Sequence, residues 1–303
     1  MLSTRLAMGT LLVLALAAGI WVDECWGRTA HGWLPAYPCW FVISLSSVAL
    51  GCRELLQLFK HRDIRTSTLL TYLCVIGVTV SNWSAGPGTA RGGGSLVTGA
   101  NVGFVFFAVC LAGMAMLLRE AWVYREPGHA TTSAAGGVLA VLYLGVLASF
   151  LIQLRWQSAG LLALTMHIAA AKCGDIGAYF GGRALGRIKL CPLLSPNKTV
   201  EGAVCGLVAS IVGAVAVDAV GPVLIGRWFP MTFLAAGIFG LVVGVAAQVG
   251  DLVESLIKRD CQQKDASNLV PGFGGILDVL DSPLFAAPVG YFLWNLFGPA
   301  PSP

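Results

Sequence analysis

Residues 229–259, FPMTFLAAGIFGLVVGVAAQVGDLVESLIKR, decide the fold. From Phe229 to Gly250 there is no charged side chain. An apolar run of that length is enough for a helix to cross the roughly 30 Å hydrocarbon core of a bilayer. Immediately after it, Asp251, Glu254, Ser255 and Lys258 stand at i, i+3, i+4 and i+7. On a helix that spacing makes one continuous polar stripe, and Leu252, Val253, Leu256 and Ile257 are left to face lipid or protein. A solvated helix end gives the same stripe, so the stripe marks a place and not yet a chemistry.

The rest of the chain repeats the apolar pattern. Of 303 residues, 56% are hydrophobic and 11% charged, where soluble domains carry about 25% charged residues. Further apolar runs fall at 5–22, 34–51, 68–83, 101–118, 135–153, 158–174, 202–221 and 276–298. With 229–250 they predict an all-α, polytopic integral membrane protein of about nine transmembrane helices. The runs at 68–83 and 158–174 are the shortest. At the start of the chain, Arg5 precedes the first run and Ala15-Leu16-Ala17 resembles a signal-peptidase site. The run continues apolar to Val22, so we read it as a span.

Charge sets the orientation. With the N-terminus in the cytoplasm, the inner segments hold Arg5; Arg53, Lys60, Arg62 and Arg65; Arg119 and Arg125; Lys172, Arg183, Arg187, Lys189 and Lys198; and Lys258, Arg259 and Lys264. The outer loops hold Arg28, Arg91, Arg155 and Arg227. Fifteen against four agrees with the positive-inside rule. Acids are also uneven. The six before residue 171 lie in connecting loops, and all but one of the nine after it, Asp218, fall at the inner ends of the later helices. The glycine-rich stretch 86–100 reads as a flexible outer linker. The nine cysteines show no metal-binding spacing, and the deeply placed His167 reads as structural.

Two more stretches carry polar chemistry. Residues 172–202, KCGDIGAYFGGRALGRIKLCPLLSPNKTVEG, join two spans. Gly181, Gly182 and Gly186 would let backbone approach a ligand closely. Arg183, Arg187, Lys189 and Lys198 could neutralise phosphates. Ser195 and Thr199 lie where a cap for the next helix would stand. Asp175 sits at the end of an apolar helix, where a carboxylate is costly and tends to be functional. In residues 264–282, KDASNLVPGFGGILDVLDS, Asp278 and Asp281 stand at i, i+3. Two such carboxylates repel, a divalent cation relieves the repulsion, and oxygen ligands favour a hard ion such as Mg²⁺. The pair lies either in the first turn of a helix or, if Ser282-Pro283 starts that helix, in the preceding loop. Carboxylates for metal, cations for phosphate and glycines for close approach, all within reach of lipid, point to phosphoryl or nucleotidyl transfer at a membrane surface.

At these residues the chain resembles the phosphatidate cytidylyltransferase (CDP-diacylglycerol synthase) family. Ser255, Lys258, Arg259, Lys264, Asp265, Ser267, Pro271, Gly274, Gly275, Asp278 and Asp281 fall in register with that family's C-terminal signature, and GDIGAYFGGRALGR with SPNKTVEG is similar to its upstream run. The resemblance is close over about residues 170–285. It departs at two places: the family's histidine is Phe273 here, and the arginine between its aspartates is Val279. The resemblance implies the reaction of CTP with phosphatidate to give CDP-diacylglycerol and pyrophosphate. It implies Asp251, Asp278, Asp281, Lys258 and Arg259 as catalytic residues, with Asp251, Asp278 and Asp281 holding Mg²⁺ and room for a second metal ion. Ser195, Lys198, Thr199, Arg183, Lys264, Ser255 and Asp175 would contact substrate or phosphate. The implied partners are CTP, phosphatidate and membrane lipid, not nucleic acid, and a homodimer is left open. The implied setting is a bacterial cell membrane, with the site on the cytoplasmic side.

On this reading, residues 1–134 are an N-terminal set of spans and 135–303 the catalytic region. Three rivals remain: a CTP-dependent lipid kinase acting on a polyprenol-type substrate, a multi-spanning transporter, and a silent homologue. The kinase would release CDP instead of pyrophosphate. The transporter would need ionisable groups near the bilayer midplane.

Overall fold

A computed structural model describes residues 18–24, 37–82, 100–125, 127–157, 159–225, 231–267, 269 and 274–298. The helices are α1 (Pro38–His61), α2 (Thr68–Ser81), α3 (Ala100–Val123), α4 (Ala130–Trp156), α5 (Gly160–Leu185), α6 (Val200–Ile225), α7 (Phe233–Asp260) and α8 (Ile276–Phe297). Between α5 and α6 lie two short strands, β1 (Lys189–Cys191) and β2 (Ser195–Thr199), paired antiparallel with Lys189 opposite Thr199 and Cys191 opposite Ser195. Among the described residues, seven helices are long and apolar enough to cross a membrane, and α2, with 14 residues, is a shorter apolar one. The protein is thus an all-α multi-pass membrane protein. The expected span at 5–22 lies largely outside the described residues, of which 18–24 are helical, and most of the glycine-rich stretch 86–100 also lies outside them.

The chain divides into two compact units that interleave in sequence. The first comprises residues 1–152 and 260–279, the second 153–259 and 280–303. The expected boundary at 134/135 falls within α4, inside the first unit.

In the first unit, α1 buries Phe41, Val48, Leu55, Leu58 and Phe59, α2 buries Val75 and Val78, and α4 buries Tyr143 and Leu144. Residues 141–146 of α4 form a π-helical turn. Gly145 in that turn lets Val78 of α2 pack against the backbone, since an added Cβ there would stand 3.2 Å from Val78 Cγ1. Asn82 donates to Ser149 Oγ at 2.8 Å, and Ser149 donates to the Gly145 carbonyl at 2.8 Å. These bonds satisfy polar groups that water does not reach. Helix α3 exposes Phe104, Phe106, Phe107, Leu111, Met114, Leu117, Leu118 and Trp122, a surface suited to lipid.

In the second unit, a different logic joins α5 and α6. Lipid tails are as apolar as leucine, so spanning helices gain little from burying large side chains and associate through small residues that bring backbones close. A Cβ on Gly206 would stand 2.9 Å from the Gly174 carbonyl and 3.0 Å from Ala178 Cβ; one on Gly202 would stand 2.9 Å from Gly182 Cα. Gly240 and Gly244 of α7 meet Ser210 of α6 in the same manner. The core around them contains Leu162, Met166, Phe239 and Trp294, with the last two rings edge to face at 6.3 Å. His167 is fully buried, and its Nε2 donates to the Pro283 carbonyl of α8 at 2.8 Å.

Two local expectations change. The sixth span was placed at 158–174 with a glycine-rich loop after it; instead α5 runs on to Leu185. Gly181 and Gly182 are therefore helical, and their missing Cβ atoms make room for Cys205, Thr199 and Gly202. Of the two placements considered for Asp278 and Asp281, the helical one holds. Helix α8 begins at Ile276, and Pro283 lies within it.

Candidate active site

In the second unit, acidic and basic side chains from three helices and a strand meet. Asp251 and Glu254 of α7 and Asp281 of α8 each offer a carboxylate oxygen, and those oxygens all lie within 4.8 Å of one another. Glu254 and Asp281 are buried. The stripe at i, i+3 on α7 supplies two of the three, as helical geometry requires. Three unshielded carboxylates at this distance would repel strongly away from water. Two lysines offset this. Lys198 on β2 pairs with Asp251 at 2.6 Å, and Lys258, one turn beyond Glu254, pairs with it at 2.6 Å.

A third pair stands beside these two. Lys172 contacts Asp175 at 3.0 Å, and the ammonium group also feels the charges of Asp281 and Asp251. Ser282 donates to Asp175 at 3.3 Å, and its backbone N–H donates to Asp281 at 2.6 Å. Counting Asp175, Asp251, Glu254 and Asp281 against Lys172, Lys198 and Lys258, the group carries a formal charge of −1. An added divalent cation would invert that sign and prepare the place for a polyphosphate. The donor set fits such an ion: three carboxylates, all oxygen, with each lysine engaging one oxygen of its partner.

A cleft of ≈ 430 Å³ opens beside this cluster. Asp175, Tyr179 and Arg183 of α5, Lys198 and Thr199 of β2, and Gln248 and Asp251 of α7 are among its lining residues. The hairpin that supplies Lys198 is fixed at its base. Glu201, in the first turn of α6, accepts the backbone N–H groups of Arg187 at 3.0 Å and Ile188 at 3.2 Å. Thr199 Oγ1 accepts the Gly202 N–H at 3.1 Å, so Thr199 caps the start of α6 as its position in the sequence suggested. At the other end of the hairpin, Arg259 Nε donates to the Leu194 carbonyl at 3.2 Å. Ser195 begins β2, and Ser255 is buried on α7 beside Glu254.

The first unit holds the rest of the expected site residues. Lys264 is exposed on the segment between α7 and α8. Asp278 Oδ2 accepts the N–H groups of Ala266 at 3.1 Å and Gly275 at 2.7 Å, so this carboxylate holds the loop that precedes it. Val279 follows in the same turn, and Phe273 lies outside the described residues. Two residues emerge that the sequence did not single out. Glu254 belonged to the polar stripe but was not expected as a ligand. Glu54 of α1 is 2% exposed, yet its carboxylate accepts from Ser267 Oγ at 2.6 Å and from the N–H groups of Ile276 at 3.0 Å and Leu277 at 2.8 Å.

The model of the cytidylyltransferase family matches residues 4–297, nearly the whole chain. The chain belongs to the cytidylyltransferase family. Similar members of the cytidylyltransferase family include the phosphatidate cytidylyltransferase of Bacillus subtilis, 36% identical over 194 residues, which are 64% of this chain and 67% of the relative. The phosphatidate cytidylyltransferase of Brucella suis is 34% identical over 205 residues, 67% of each chain. That of Synechocystis is 39% identical over 143 residues, 46% of this chain and 45% of the relative. This cytidylyltransferase-family chain thus spans two thirds of some relatives and under half of others.

Proposed function

We propose that this protein transfers the cytidylyl group of CTP to phosphatidate, giving CDP-diacylglycerol and pyrophosphate, on the cytoplasmic face of a bacterial cell membrane. The observation that carries the proposal is the trio Asp251, Glu254 and Asp281, flanked by Lys198 and Lys258 and bordering a cleft with Arg183, in a chain of the cytidylyltransferase family. The bacterial relatives and the excess of Lys and Arg on one set of loops support the setting.

Asp251, Glu254 and Asp281 would hold Mg²⁺, which supplies charge stabilisation to the reacting phosphates and to departing pyrophosphate. Asp278, one turn before Asp281 on α8, remains a proposed ligand, including for a second ion. Lys198 and Arg183 would bind the triphosphate in the cleft, each offsetting negative charge. Lys258 and Arg259 would add to the same positive field, and Lys264 would contact phosphate. Ser195, Thr199 and Ser255 would orient phosphate oxygens or the segments that carry them, and Asp175 orients Lys172. The phosphatidate oxygen is already anionic, so it attacks the α-phosphorus of CTP without a general base. Positioning and charge stabilisation then carry the barrier reduction. Phe273, in place of the family's histidine, is compatible with that chemistry.

The test is CTP- and Mg²⁺-dependent lipid conversion by purified protein in mixed micelles. Asp251→Asn and Asp281→Asn should each lower kcat by about a thousandfold, near 4 kcal/mol of barrier. Turnover in either variant at the unmodified rate would remove the metal assignment.

A further inference from the structure

Glu54 of the first unit is a buried carboxylate that accepts several hydrogen bonds, far in sequence from every residue discussed above as a ligand. It sits near the end of α1, and its carboxylate accepts from groups of one short segment: the Ser267 hydroxyl and the Ile276 and Leu277 amides. The last two are N–H groups of the first turn of α8, which have no partner within the helix. A buried carboxylate is costly unless hydrogen bonds and a helix N-terminus compensate it. Glu54 has both.

The segment is held from its other side as well. Asp278 Oδ2 takes the N–H groups of Ala266 and Gly275. Ser267 Oγ, while donating to Glu54, accepts the Leu269 N–H at 3.1 Å. Two carboxylates, one from α1 and one from α8, thus grip the same loop, and that loop carries Lys264. Gly275 completes the fit. A Cβ at that position would be driven into the Glu54 carboxylate, with Cδ at 2.7 Å. Gly275 is therefore a glycine because Glu54 occupies the space, not because a substrate does. Gly274 has a different reason, a φ of 100°.

We propose that Glu54 is a positioning residue: a latch that fixes Ser267 and the first turn of α8, and with them the carboxylate of Asp278, in the geometry used for cytidylyl transfer. The proposal rests on the function argued above for the loop, but the latch itself does not. Glu54 touches no reacting atom; it acts through Ser267, the first turn of α8 and Asp278.

Three variants and two readouts decide it. Glu54→Gln keeps the volume but replaces one carboxylate oxygen by an amide NH₂, so that one of the two backbone N–H groups, Ile276 on Oε1 or Leu277 on Oε2, loses its acceptor. It should lower kcat/KM for CTP by about 30-fold, with Glu54→Asp milder, while the protein elutes from detergent chromatography as the wild type does. Gly275→Ala should cost about 30-fold alone, yet under about 3-fold in a Glu54→Asp background, because the shorter side chain vacates the space. Amide hydrogen exchange at Ile276 or Leu277, whichever loses its acceptor, should accelerate at least tenfold in Glu54→Gln. Unchanged kcat/KM with a lowered melting temperature would make Glu54 merely structural and overturn the proposal. Equal cost of Gly275→Ala in both backgrounds would overturn the pairing. If the wild-type protein converts no CTP at all, the functional reading fails, and the exchange measurement alone decides the latch: unchanged protection in Glu54→Gln refutes it.

Discussion

Replacing Lys258 with methionine should make the stability of this protein depend on Mg²⁺. Lys258 and Glu254 form a 2.6 Å pair whose side chains are 12% and 1% exposed. Removing one partner of so buried a pair leaves an uncompensated charge and costs about 3–5 kcal/mol. Methionine preserves most of the stem, so little packing is lost and the cost is mainly electrostatic. The stranded carboxylate also faces Asp251 and Asp281, whose oxygens lie within 4.8 Å of its own. In EDTA the variant should therefore lose about 3 kcal/mol or more against the wild type. A divalent cation bound by the trio replaces the missing positive charge. At a hundred times its dissociation constant, an ion that binds the folded state alone contributes about 2.7 kcal/mol. Without the neighbouring ammonium the variant should bind the ion more tightly than the wild type, so saturating Mg²⁺ should stabilise it more and narrow the deficit. The assay is thermal unfolding in detergent micelles, for both proteins, in EDTA and in Mg²⁺. An identical loss in the two conditions, or no stabilisation of either protein by Mg²⁺, would refute the placement of an ion at this trio.

Other expectations follow from packing and from the two family departures. Gly206→Leu should separate α5 from α6, because even a Cβ there would stand 2.9 Å from the Gly174 carbonyl; a destabilisation of about 1–3 kcal/mol should appear as a lower melting temperature in micelles. The same variant should widen the cleft and raise KM for CTP, since Gly202 and Ala203 of α6 line it. Changing Phe273→His together with Val279→Arg should alter kcat by less than about tenfold, because an anionic attacking oxygen does not need the 10²–10⁴ that a proton-transfer group contributes. A larger gain in a steady-state assay would show that the site had lost a working acid or base.

The spans were legible because bilayer thickness dictates apolar length, and every run after the first has a helix at its place. The polar stripe Asp251, Glu254, Ser255, Lys258 was legible for the same kind of reason, a period of 3.6. What the sequence hid depends on which side chain meets which across a packed interface. Glu54 lies more than 200 residues from the amides it holds, and no periodicity connects them. Glu254 belonged to a stripe that a solvated helix end would give as well, and its neighbour Asp281 on the next helix is what spacing along α7 does not reveal. The glycines at 181 and 182 suggested a ligand loop; a helix that continues to Leu185 and packs on α6 uses them for close approach of backbones. Asp278 was expected beside the metal, and its bonds to Ala266 and Gly275 give it a second task that spacing alone does not reveal.

The measurement that bears most directly on the proposed reaction uses CTP labelled separately at its α- and γ-phosphorus, with phosphatidate and Mg²⁺ in mixed micelles. The account predicts that the α-label passes into extractable lipid while the γ-label leaves as pyrophosphate. Transfer of the γ-label into lipid with release of CDP, or no label in lipid from either position, would contradict it.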